Sequence, residues 1–140
     1  MTDRAWGAEY RATLICIDSY ENGIPVGRFY NPYLEAGRTF RSTSQFLWEM
    51  ERTLDNMDFP QAFTAIRAFD SPPARTFDLP DELPRRGEKA TFTVKVLFRQ
   101  NASWQGILTW QEGQRERSFR SALELLLLMD SAIQEDEKVS

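Results

Sequence analysis

Between Thr91 and Phe98 the chain reads TFTVKVLF, with Phe92, Val94, Val96 and Phe98 on one side of the alternation. A period of two is the mark of a strand with one buried face. Ile15, Ile17 and Ser19 repeat the spacing near the start of the chain. Each run leads into a turn, ENG (Glu21 to Gly23) or QNAS, and Asn-Gly supplies the positive φ angles of a tight type I′ hairpin. A second strand follows, PVGRFYN or WQGILTW, then a polar turn, LEAG or QEGQ, then a short third strand, RTF or RERSF. There the period changes. Phe46, Leu47, Met50, Leu54 and Met57 recur at helical spacing and make one apolar stripe. ALELLLLMDSAI, from Ala122 to Ile133, is apolar almost all round, which marks a helix that is deeply buried or half of an interface. Both helices open on a capping-box pattern, Ser42 with Gln45 and Ser121 with Glu124.

The two sets of elements are related by a constant offset of 79 residues without a gap. Ile15 falls on Val94, Asn22 on Asn101, Gly27 on Gly106 and Phe29 on Leu108. Arg38, Phe40, Arg41, Ser42, Leu47 and Met50 fall on Arg117, Phe119, Arg120, Ser121, Leu126 and Met129. An ungapped register over some forty positions is read as an internal duplication. The expected fold is α+β, one domain made from two β-β-β-α units. Two antiparallel meanders each carry one helix, related by a pseudo-two-fold axis. Repeat one spans about 11–57, a connection 58–88, repeat two 89–135, and a frayed tail 136–140. QAFTAIRAF in the connection reads as one more strand, and Pro72, Pro73, Pro80 and Pro84 mark an exposed stretch. Whether the repeats share one sheet or form two stays open.

Composition then removes whole classes of chemistry. With 41% hydrophobic and 13% aromatic residues, 140 residues suit one globular domain. There is no His, the commonest general base and metal ligand, and a single Cys cannot complete a zinc site. No Gly-rich phosphate loop or G-x-S-x-G elbow is present. No metal site, cofactor or catalytic residue is therefore expected, and the chain is read as not an enzyme. A carboxylate-only enzyme is the outlying alternative. No apolar run reaches the roughly 20 residues of a membrane span, and no signal peptide pattern opens the chain. A cytoplasmic protein without membrane contact or internal disulfide is expected. Cys16 has no activating neighbour in sequence and reads as a structural thiol.

Net charge is −4, yet 14 of the 17 basic residues are Arg, and Lys89 to Arg120 holds six basic against two acidic residues. Arg38 with Arg117 and Arg41 with Arg120 recur at equivalent positions just ahead of the helices. They read first as solvent-side residues flanking the third strand, and second as an anion site at a helix N-terminus. By parity, Tyr20, Arg28, Tyr30 and Arg99 should point away from the core. With the four paired arginines they would form an aromatic and basic surface of the kind that holds single-stranded nucleic acid, rings stacking on bases and Arg neutralising phosphates.

Two resemblances attach to particular residues and a third to the order of elements. NASWQG resembles the N-x-S-x-x-G half of the PilZ signature for a cyclic dinucleotide. RRGEK, Arg85 to Lys89, is the nearest match to its R-x-x-x-R half and departs at the last position. The order of elements is similar in outline to the Whirly and PUR-type single-strand-binding folds, which use four strands per repeat. GRFYNPYLEAGRTF and LFRQNASWQG resemble a family of small bacterial proteins of unknown function, which implies no activity. The leading expectation is a non-enzymatic binding module, a protein–protein adaptor or regulatory subunit. Its partner is another protein or a second copy, a homodimer held through the second helix. Single-stranded nucleic acid is the alternative partner.

Overall fold

A computed structural model describes residues 12–31, 34, 36–57, 78–79, 85–100 and 103–139. Asn22 and Gly23 adopt φ values of 57° and 74°, so strand β1 (Ala12–Glu21) turns back directly into β2 (Ile24–Tyr30). β3 (Gly37–Phe40) leads into helix α1 (Thr43–Met57), and a two-residue strand β4 (Asp78–Leu79) follows. The second series is β5 (Ala90–Gln100), β6 (Ser103–Trp110), β7 (Arg115–Phe119) and helix α2 (Ala122–Val139). The expected strand at QAFTAIRAF lies outside the described residues. β4 was not foreseen, and α2 continues to Val139, through the tail expected to fray.

All the described strands join one antiparallel sheet in the order β4-β3-β2-β1-β5-β6-β7. This answers the question of one sheet or two: β1 and β5 pair at its centre, from Ala12↔Lys95 to Ile17↔Ala90. Pairings in the first half recur 79 residues on. Ile15↔Phe29, Ile17↔Gly27 and Gly27↔Phe40 match Val94↔Leu108, Val96↔Gly106 and Gly106↔Phe119.

The expected alternation decides which face is dry. Ile15, Ile17, Phe29, Phe40, Phe92, Val94, Val96, Leu108 and Phe119 are buried together with Phe46, Met50 and Leu54 of α1 and Leu125, Met129 and Ile133 of α2. The side chains of Phe98 and Met57 lie outside the described residues. Phe46 meets Phe40 at 5.0 Å between ring centroids and Phe29 edge-on at 6.4 Å. Each such pair contributes about 0.5–1.5 kcal/mol beyond area burial. Gly27 and Gly106 are required on this face. A Cβ at either would run into a backbone carbonyl of the neighbouring strand, Cys16 or Lys95.

Both helices are capped as the pattern predicts. The Gln45 N–H donates to Ser42 Oγ (3.1 Å) and the Glu124 N–H to Ser121 Oγ (3.0 Å). The reciprocal bond lands one residue earlier than the usual box, from the Arg41 and Arg120 N–H groups to Gln45 Oε1 and Glu124 Oε1. A cap of this kind stabilises a helix by about 1 kcal/mol.

Candidate functional site

The expected Arg and Tyr surface does not assemble, and for Tyr20 and Arg99 the cause is a β-bulge in each half. β1 pairs Ile17↔Gly27 and then Ser19↔Val26; β5 pairs Val96↔Gly106 and then Phe98↔Gln105. One extra residue per strand reverses every later side chain. Tyr20 and Arg99, expected outside, therefore turn in under the helices. Arg99 is only 2% exposed, and its Nη1 donates to Glu51 Oε2 and Asp55 Oδ1, both at 2.8 Å. Trp104 Nε1 donates to the other Glu51 oxygen at 2.6 Å. The Tyr20 hydroxyl donates to Asp130 Oδ1 at 2.6 Å. Burial first, then the bond to Asp130, pushes its phenol up to about 12.

Arg28 and Tyr30 do lie on the opposite face, as parity required, but both are buried. Residues 85–89 run across that face. Arg28 is ion-paired to Asp18, donates from Nε to the Tyr30 hydroxyl (2.9 Å) and from Nη2 to the Arg86 carbonyl (3.1 Å). The Arg85 guanidinium sits 4.5 Å from the Tyr30 ring centroid, a cation–π contact. Arg85 and Arg86, half of the PilZ-like motif, thus lie over the first half of the sheet; Asn101 lies outside the described residues. Cys16 lies on the same face with no exposed surface. Burial, opposed by Arg28, pushes its thiol up to about 11 and keeps it protonated.

The paired arginines divide. Arg38 faces the buried Glu49 at 3.8 Å. Arg117 is exposed and donates to the Glu116 carbonyl at 3.0 Å. Arg41 and Arg120 are exposed. The structure therefore leaves Arg41, Arg117 and Arg120 outside and takes Arg28, Arg99, Tyr20 and Tyr30 into contacts within the fold. Among the described residues no group of three or more Cys, Asp or Glu side chains is placed to hold a metal ion, and no helix is long and apolar enough to cross a membrane.

The exposed surface also carries a few large apolar side chains. Leu123 and Leu127, one turn apart on α2, are 65% and 58% exposed, and Trp48 on α1 is 45% exposed. The almost wholly apolar reading of this helix pointed to them. Beside this stripe, a cleft of about 120 Å³ opens between α2 and strands β6 and β7. Its walls are Leu108, Trp110, Leu128 and Ala132, with Arg115, Arg117, Ser131 and Glu135 at the polar side. Sequence reasoning missed this cleft and the helix acids that meet Tyr20 and Arg99. A signal existed for the latter: Glu51 and Asp130 stand 79 residues apart, as do Tyr20 and Arg99.

No family model, curated protein sequence or solved structure matches the chain.

Proposed function

We propose that the chain is a non-enzymatic protein-binding module, and that the outer stripe of α2 is its docking face. The observation carrying this is the exposure of Leu123 and Leu127 on consecutive turns of a capped helix. Single exposed leucines are ordinary, whereas aligned ones on a rigid element are what an interface core needs. The groups that chemistry would use are committed elsewhere. Glu51 is bonded to Arg99 and Trp104, Asp130 to Tyr20, and the Cys16 thiol is buried and protonated. The matched registers and the equal spacing of both bulges support descent from one duplicated β-β-β-α unit with a pseudo-two-fold arrangement. In that scheme Trp48 and Leu127 are equivalent positions, so one exposed apolar position recurs in both halves, while Leu123 falls on Ser44.

The test compares tagged wild type with the double variant Leu123→Ser, Leu127→Ser, by affinity purification and by sedimentation. The expected result is a stoichiometric partner, or a second copy of the chain, held by wild type and lost by the variant. Equal recovery by both, or a monomer that retains nothing, removes the reading. Single-stranded nucleic acid is the competing outcome, favoured by the exposure of Arg41, Arg117 and Arg120. It predicts salt-sensitive binding of labelled single strands that weakens with Arg117→Ala or Arg120→Ala.

A further inference from the structure

We infer that the cleft between α2 and the β6–β7 hairpin is an anchor pocket for an acidic side chain of a peptide segment that also lies on Leu123 and Leu127. The inference rests on the docking-face reading above. Arg115 and Arg117 pair with Trp110 and Leu108 in the ladder, so both turn toward α2 and flank the cleft. Such charges on an edge strand also discourage sheet-to-sheet pairing; two other features point to a ligand.

The first is the state of the cations. Arg115 donates to both oxygens of Glu135, at 3.0 and 2.6 Å, but both partners are about half exposed. An exposed ion pair is weakly held and exchangeable. Among the described residues Arg117 reaches the Glu116 carbonyl and no carboxylate. The cleft thus carries two guanidinium groups against one carboxylate, which leaves room for a second anion. The second feature is Trp110. It is 8% exposed, and its indole Nε1 is buried without an acceptor among the described residues. A buried donor left unpaired is unusual in a folded protein and is the kind of group an incoming acceptor satisfies. The Arg115 guanidinium lies 5.8 Å from the same ring centroid, so exchange at Arg115 is felt at the indole.

Size and position set the class of ligand. About 120 Å³ is below the 300–1,000 Å³ of a pocket for a drug-sized molecule. It fits one carboxylate with a short aliphatic stem against Leu108, Leu128 and Ala132. Ser131 joins the cleft to the exposed turn carrying Leu127. The exposed Arg120 lies one turn before Leu123. The complementary segment is therefore acidic and aliphatic: one carboxylate in the cleft and apolar side chains along α2.

The experiment uses the full chain and two capped pentapeptides, one with a glutamate between leucines and the other with glutamine in its place. Indole N–H signals are followed by NMR; the chain has four tryptophans, and Trp110→Phe assigns the one that matters. The glutamate peptide should shift the Trp110 signal saturably, and the glutamine peptide should bind at least tenfold more weakly. Arg117→Gln, a surface change, should reduce the glutamate peptide to the glutamine level. Glu135→Gln should tighten binding several-fold, because it removes the carboxylate that competes for Arg115. Equal affinity for both peptides, or a Trp110 signal that does not move, overturns the inference. Isovalerate binding as tightly as the peptide also overturns it, in favour of a free small acid. If Leu127→Ser loses a partner while the two peptides bind alike, the pocket inference falls and the docking face stands.

Discussion

Tyr20 and Arg99 occupy the same place in the two halves of the sheet, two pairings past the bulge, yet they tie the helices down by different chemistry. In the first half a phenol makes one hydrogen bond to Asp130 of α2. In the second a buried guanidinium holds Glu51 and Asp55 of α1, with Trp104 completing Glu51. Each strand thereby grips the helix of the other half. A neutral donor at a partly buried site adds a little stability and can be lost cheaply. A buried charge network adds less than its bond count suggests, because the charges were taken out of water, but breaking it leaves an uncompensated carboxylate. The same geometry thus gives one tolerant joint and one brittle joint.

The largest expected effect is at the brittle joint. Arg99→Leu should cost about 4 kcal/mol, the range for removing one member of a buried ion pair, measured as a fall in the urea midpoint. A loss no greater than that of Tyr20→Phe would erase the distinction between the joints. Where the halves are alike, the effects should match. Gly27→Ala and Gly106→Ala each force a Cβ onto a neighbouring backbone carbonyl and should each cost about 3 kcal/mol, the upper range for overpacking. Unequal costs would show that the common register conceals different tolerance. Tyr20→Phe should cost about 1 kcal/mol, the usual value for one hydrogen bond. It should also flatten the alkaline limb of the stability curve. The Tyr20 phenol is raised from its ordinary 10 to about 12, so its contribution is complete below pH 10 and is lost as pH rises through 12.

The smallest effect is the most discriminating. Burial holds Glu51 above its usual carboxylate value, even against its bonds from Trp104 and Arg99. Its contribution to stability is then full below the free glutamate pKa of about 4.3 and declines as pH rises through the higher folded value. An ordinary ion-paired acid does the reverse. Urea midpoints of wild type and Glu51→Gln between pH 3.5 and 6 should therefore diverge in favour of the variant as pH rises; convergence would mean that the ion pair outweighs burial.

Much of this architecture is written in local pattern. The strand periods, the Asn22–Gly23 turn and the Ser42 and Ser121 caps each express a short-range preference that tertiary packing did not override. The site was less readable. A bulge needs one extra residue and carries no obligatory Gly or Pro, so neither Asp18 nor Leu97 announces the reversal that takes Tyr20 and Arg99 inward. Arg28 and Tyr30 sit on the face parity assigned, but a single strand's alternation cannot say what will cross over it, and here Arg85 and Arg86 do. The cleft joins β6, β7 and the far end of α2, a juxtaposition made only by the completed fold.

The central seam has a consequence for how the chain is made. Within each hairpin, partners such as Tyr20 and Pro25 are a few residues apart. Across the seam, Ala12 meets Lys95 and Ile17 meets Ala90, contacts of long sequence separation whose closure is entropically slow. At a synthesis rate of about 5–20 residues per second, β1 waits roughly 4–16 s for its partner strand. During that interval its β5-facing edge has unpaired amides and carbonyls flanked by Ile15 and Ile17. The nascent first half is therefore the species most exposed to wrong pairing, and the finished sheet hides that edge at its middle.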